Sequence, residues 1–150
     1  MLHHVVYAST ALVPFSTNML YQLLWQARKA NHAREITGIL LYHNNSFLQL
    51  LEGPEEAIQP LFERIYSDPR HKPHVLNNWG ITHRNYDEWL MSFVDPNLND
   101  RMRQPDGYVP YNTILQDDTI LRGIDLKLFQ RFHGGEWSRG DTGGNGAIHA

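Results

Sequence analysis

The stretch Glu35–Gly53, EITGILLYHNNSFLQLLEG, decides how the rest of the chain is read. Two apolar runs rich in Ile, Leu, Tyr and Phe flank the polar pair Asn44-Asn45, the pattern of a β-hairpin. Strand side chains alternate between faces, so Phe47, Gln49 and Leu51 share one face while Leu48 and Leu50 share the other. Gln49 thus stands among large apolar groups, and a buried amide is costly unless its donors and its acceptor are used. Its partners are either protein groups or a ligand with complementary polar atoms.

Outward from the hairpin, His3–Ser9 reads as a first strand with Val5 and Tyr7 on one face and His4, Val6 and Ala8 on the other. Ser16-Thr17 marks an N-cap, and Leu20, Leu23, Leu24 and Ala27 follow at helical spacing towards an end near Asn31. Gly53-Pro54-Glu55-Glu56 starts a second helix with acids in its first turn. Ile58, Leu61, Phe62, Ile65 and Tyr66 form its buried stripe, and Pro60 is expected to make its first turn irregular. Ser67-Asp68-Pro69-Arg70 stops that helix, and His74–His83 and Trp89–Val94 read as the fourth and fifth strands. The order βαββαββ predicts an α+β, ferredoxin-like sandwich over residues 1–96, with Tyr7, Gln49 and Met91 under the helical layer.

Beyond Pro96 the pattern loosens. Asn97–Tyr111 reads as a connecting loop. Helical segments are expected near Thr113–Leu121 and over Asp125–Phe132, so that 97–133 forms a C-terminal helical segment covering the sheet. Residues 134–150 read as a mobile Gly-rich tail.

Composition narrows the function. With 150 residues, 41% of them hydrophobic, the chain has enough material for one real core. It shows neither a signal peptide nor a bilayer-spanning run, and with no Cys a cytoplasmic protein is expected. The absence of Cys also excludes thiolate catalysis, and a net charge of −3 with no basic run gives no case for nucleic acid. Nine scattered His lack a helical ligand pair, so no metal site is expected.

The fold brings a polar set inward: Tyr7 from strand one, Asn31 from the end of helix one and Gln49 from strand three, with Arg28, Arg64, Arg70 and His71 expected at helix ends on the same side. A flat ligand with an apolar body, an edge of alternating donors and acceptors and an anionic tail suits this set. A flavin has that chemistry, and other nucleotides or amide-bearing ligands share it.

The ordered fragments VVYAST, ARKAN, ITGILLYHNNSFLQLLEGP, IYSDPRH and EWLMSF resemble the BLUF family of blue-light sensors using FAD, over residues 2–95. The resemblance implies noncovalent FAD, with FMN or riboflavin as stand-ins in a recombinant preparation. It implies that Tyr7 is the electron and proton donor, that Gln49 bridges the Tyr hydroxyl and the flavin edge and rearranges in light, and that Asn31 holds the ring's carbonyl and N–H edge. Arg64, Asp68, Arg70 and His71 match positions on the ribityl and phosphate side, and Trp89 and Met91 lie on the last strand near Gln49. Many members carry two consecutive Asn where this chain has Ala30-Asn31. The residues after 95 are too few for a cyclase or phosphodiesterase domain, so output is expected through an unidentified signalling protein or through homo-oligomerisation rather than through catalysis. Two alternatives stand beside this one. One is a light-independent ligand-binding regulatory domain. The other is an acylphosphatase-like enzyme, against which the loop TALVPF, Thr10–Phe15, offers neither Gly nor Arg to cradle an anion.

Overall fold

The computed structural model describes residues 1–97 and 104–138. Along them run β1 (Leu2–Ala11), α1 (Thr17–Ala33), β2 (Thr37–His43), β3 (Ser46–Pro54), α2 (Glu55–Ser67), β4 (His71–Ile81), β5 (Trp89–Phe93), β6 (Tyr108–Pro110), α3 (Tyr111–Gln116) and α4 (Gly123–His133).

The hairpin β2–β3 closes through Asn44 (φ 49°) and Asn45 (φ 62°). Two successive left-handed residues match the right-handed twist of the flanking strands, and Asn tolerates that conformation. The turn is tied to the end of β1: the Asn45 side-chain amide donates to the Ala11 carbonyl at 3.2 Å, and the Ala11 N–H donates to the Asn45 carbonyl at 2.9 Å. The Ser16 hydroxyl caps α1 by accepting from the Met19 N–H at 3.2 Å. Pro60 does not interrupt α2, which runs continuously with the ring exposed to solvent, where a missing N–H bond costs least.

The sheet order is β4-β1-β3-β2-β5-β6. The first four strands pair antiparallel, with α1 and α2 as the crossovers, which is the ferredoxin-like arrangement; β5 then adds parallel to β2, and β6 parallel to β5. β6 corrects the expectation of a plain loop over 97–111. Its three residues are too short for a periodicity signal, and it pairs because the Met91 N–H reaches the Gly107 carbonyl at 2.7 Å and Tyr108 is buried. Residues 98–103 of that expected loop lie outside the described residues.

Both faces of the sheet are covered. Leu20 and Leu24 of α1 and Ile58 of α2 pack on Val5, Tyr7, Leu40, Phe47, Leu51, Met91 and Phe93. On the opposite face, Tyr111 and Ile114 of α3 and Leu128, Phe129 and Phe132 of α4 pack on Val6, Ala8, Ile39, Leu41, Leu48 and Leu50. One irregularity occurs in the β1–β4 pairing between Val6 and Tyr7, and the extra residue, Leu76, is on the edge strand β4. The β1–β3 register stays continuous, so the facing of Tyr7 and Gln49 survives.

Of the Gly-rich tail expected to be mobile over 134–150, the described part, residues 134–138, packs against the sheet. Trp137 is buried against the second face, its carbonyl accepts from the Thr10 hydroxyl at 2.7 Å, and Arg131 pairs with Glu136. The large apolar surface of one Trp holds residues 134–138 on the sheet. Residues 139–150 lie outside the described residues.

Candidate functional site

The pleat of the sheet sets up one row of side chains under α1 and α2. Tyr7 is the direct cross-strand partner of Gln49, Gln49 of Leu40, and Leu40 of Met91. Opposite this row, α1 presents Leu23, Gln26, Ala27, Ala30 and Asn31, spaced at three and four residues and so on one stripe of the helix. Asn31 is C-terminal on that stripe and 3% exposed. Between helix and sheet lies a cavity of about 380 Å³. Its walls also include Ser9, Phe15, Leu40, Phe47, Leu61 and Ile65, and its mouth carries Arg64, Asp68, Arg70 and His71.

Several buried polar side chains of the cavity have no hydrogen-bond partner among the described residues. Among the described residues no hydrogen bond engages the Tyr7 hydroxyl or the side-chain amides of Asn31 and Gln49, although all three residues are buried. The Ser9 hydroxyl and His71 Nδ1 are likewise buried without a partner. Native interiors seldom leave several polar groups unpaired in one place, so their convergence on a common space marks a ligand site. Two amides, two hydroxyls and an imidazole nitrogen over Leu, Ile and Phe side chains suit a flat ring with a polar edge.

The electrostatics fit neutral hydrogen bonding inside and charge at the rim. Burial, with Tyr66 and Asp68 nearby, pushes the Tyr7 phenol well above its ordinary value, so it stays protonated. Burial lowers His71, keeping its ring neutral near pH 7. At the mouth the Arg70 guanidinium grips Asp68 with Nη2 at 2.8 Å and Nε at 3.1 Å, which holds the Asp68 carboxyl below its usual value. Arg70 also sits 5.5 Å over the Phe15 ring. Its charge is therefore shared with Asp68, and the Arg64 guanidinium, exposed on α2, is the second cation at the mouth.

Sequence similarity follows the same residues. The profile of the family described as sensors of blue-light using FAD, BLUF, matches residues 2–92. The chain belongs to the BLUF family. The photoactivated adenylate cyclase subunit beta of Euglena longa is 38% identical over 90 residues, 59% of this chain and 10% of that protein. The blue light- and temperature-regulated antirepressor BluF of Escherichia coli is 35% identical over 71 residues, 47% of this chain and 18% of that protein. The chain thus spans less than a fifth of the length of these curated relatives. Among solved structures, that of Klebsiella pneumoniae BlrP1 with FMN and cyclic diGMP aligns with a TM-score of 0.63 at 28% identity, covering 90% of this chain and 37% of that one. The BlsA photo-activated state aligns with a TM-score of 0.59 at 28% identity, covering 86% and 91%.

BLUF domains are flavin-binding sensor domains for blue light, and the cavity fits a flavin by the chemistry of its unpaired groups. Of the residues singled out in the sequence, the cavity brings together Tyr7, Asn31, Gln49, Arg64, Asp68, Arg70 and His71. It does not include Arg28, Trp89 or Met91. Arg28, three residues before Asn31 and so its neighbour on the helix surface, turns its side chain away from the cavity, and its Nη1 donates to the Trp89 carbonyl at 2.9 Å. Its guanidinium is also so close to Gly107 that a Cβ there would meet Nη1 at 2.5 Å. The expectation that Arg28 faces the ligand's anionic side is therefore corrected. Trp89 is buried, level with Gly38 of β2, and its indole N–H has no partner among the described residues. Met91 is fully buried and separated from Gln49 by Leu40.

Ser9 and Gln26 were not singled out from the sequence. Ser9 has the same strand parity as Tyr7, and Gln26 is three residues after Leu23 and four before Ala30 on the α1 stripe, so both positions follow the same periods. Among the described residues no cluster of three or more His, Asp or Glu could hold a metal, and no helix is long and apolar enough to cross a membrane.

Proposed function

We propose that the chain is a cytoplasmic light switch in which Tyr7 and Gln49 are the responsive pair and Asn31 the anchor of the flavin ring. The observation that supports this most is the direct cross-strand pairing of Tyr7 with Gln49, both buried and both with side-chain polar groups that no hydrogen bond engages among the described residues. When bound, FAD supplies the absorption of blue light and a redox partner. Asn31 offers an amide acceptor and donor to a ring's carbonyl and N–H edge, Gln26 and Ser9 add polar contacts, and Arg64 and Arg70 attract an anionic tail.

Gln49 is the element with two states. Its amide presents a donor on one side and an acceptor on the other, and reversal exchanges them without any change of charge. Tyr7, held protonated by burial, has an O–H for whichever acceptor Gln49 presents. In a low-dielectric cavity one exchanged bond is enough to bias neighbouring packing. The row Gln49–Leu40–Met91 gives that bias a route to β5, and the sheet's second face carries it to α3 and α4. Output is then contact with a signalling protein or a change in self-association.

The test is an absorption spectrum of purified protein in darkness and immediately after blue light. A flavin spectrum that shifts reversibly to the red in the wild type and not in Tyr7→Phe, with flavin retained in both, supports the assignment. A reversible shift that persists in Tyr7→Phe removes Tyr7 from the switch, and a chain that takes up no added FAD removes the cavity assignment altogether.

A further inference from the structure

Behind the flavin-facing side, the second face of the sheet holds a buried charged cluster that the switch does not use. His4 of β1 is 1% exposed and Glu52 of β3 is fully buried, and the two are direct cross-strand partners, three rungs along the same β1–β3 ladder from Tyr7 and Gln49. The odd offset turns them to the opposite face. His4 Nδ1 is 2.7 Å from Glu52 Oε2, and His4 Nε2 is 3.2 Å from Oδ1 of Asp125, in the first turn of α4. Glu52 accepts further bonds from the Asn85 and Tyr86 N–H groups at 2.6 and 3.0 Å and from the Asn85 side-chain amide at 2.7 Å. The Tyr86 hydroxyl donates to Asp125 Oδ2 at 2.6 Å.

Ionised carboxylates only accept, so a ring that bonds one through each nitrogen carries a proton on both. Trp79 stacks on the ring at 5.1 Å, a contact that favours a cation. We propose that His4, as a buried imidazolium, is the positioning residue that docks α4 onto the β1–β3 ladder, and so couples the ladder carrying Tyr7 and Gln49 to the C-terminal helices. The docking stands on this geometry alone; the coupling to light rests on the function proposed above.

The groups facing His4 are Glu52 from β3, Asp125 from α4, Tyr86 from the segment before β5 and Trp79 from β4, with Arg122 on the wall of the same small cavity. Burial alone lowers the imidazolium, and Asp125 and Glu52 more than reverse it, raising it to about 9. Burial and Asp125 push the Tyr86 phenol up, out of the way of that titration. A folded value raised above 6.5 makes the contribution of His4 complete below about pH 6.5 and lost as pH rises through about 9.

The experiment uses the full chain in darkness first. Imidazole nitrogen NMR at pH 7 is expected to show both His4 nitrogens protonated. Hydrogen exchange, corrected for intrinsic rates, is expected to show α4 amides losing at least tenfold protection between pH 8 and 10 while β3 amides keep theirs. Asp125→Asn abolishes that step; Tyr86→Phe, which keeps the charges, retains it. A singly protonated His4 at pH 7, a wild-type α4 that keeps its protection through pH 10, or a step that persists in Asp125→Asn overturns the docking role. Under blue light, wild-type α4 is expected to change protection and Asp125→Asn to lose that change while keeping its flavin shift. An equal light response of α4 in both overturns the coupling. Absence of the flavin shift in the wild type overturns the function proposed above and leaves the docking role to the dark data.

Discussion

Replacing Asn31 by Leu should move two properties of the protein in opposite directions. The Asn31 side chain is buried on the α1 stripe with no hydrogen-bond partner among the described residues, while its backbone carbonyl accepts the Arg34 and Ile36 N–H groups and is untouched by the change. In the apoprotein an unpaired buried amide gives way to an apolar group of similar size, which should stabilise the fold by about 1–2 kcal/mol. For a chain of this length that is roughly 2–8 °C in Tm. In the flavin complex the ring edge loses both partners, and leaving two buried polar groups unmatched costs about 2–4 kcal/mol, or roughly 30- to 1,000-fold in Kd. Urea denaturation of the apoprotein and quenching of flavin fluorescence on titration measure the two quantities separately. An affinity within threefold of wild type, or an apoprotein destabilised by more than about 1 kcal/mol, would mean that the amide serves the protein rather than a ligand, and would refute the reasoning.

Three further outcomes follow from the packing and charge. Gly38 has φ +141°, and a Cβ there would lie 1.9 Å from the Leu50 carbonyl oxygen, so Gly38→Ala should cost on the order of 4 kcal/mol or more, read as a lowered urea midpoint. Phe132→Ala empties a fully buried site between α4 and the sheet and should cost about 3–5 kcal/mol, while flavin affinity, on the other face, stays within a factor of two to three of wild type, or about 0.6 kcal/mol. Burial raises the Glu52 carboxyl, but His4 and Asn85 outweigh it and hold it below its ordinary value of 4.5. Its stabilisation is present above that value and lost as pH falls through the folded one, so the loss of stability as pH falls below 4.5 should be shallower in Glu52→Gln than in wild type.

Much of this was legible in the sequence because one period governs each part. Alternation in Phe47–Leu51 and in Val5–Tyr7 gave the correct facing for the Tyr7–Gln49 pair, and the helix expected to end near Asn31 brings that residue to the cavity wall. Arg28 is three residues from Asn31 and close to it on the helix surface, so spacing alone does not part the two; its long side chain is drawn to the Trp89 carbonyl, a partner 61 residues away that no local pattern announces. β6 and the Trp137 anchor were illegible for another reason. Three residues carry no period, and one aromatic in a glycine-rich run gives no local hint of the surface it meets. The His4–Glu52–Asp125 cluster joins positions up to 121 residues apart, and nothing local foretells so distant a partner.

Leu40 has a consequence for the kind of message the sheet can carry. It separates Gln49 from Met91 with a side chain that has no donor, acceptor or charge. Along this row of side chains, a change at the Gln49 amide meets Met91 only as a displacement of volume. The polar vocabulary of the cavity ends at that one leucine, and beyond it the protein speaks only in shape, where bulk and branching count and protons do not.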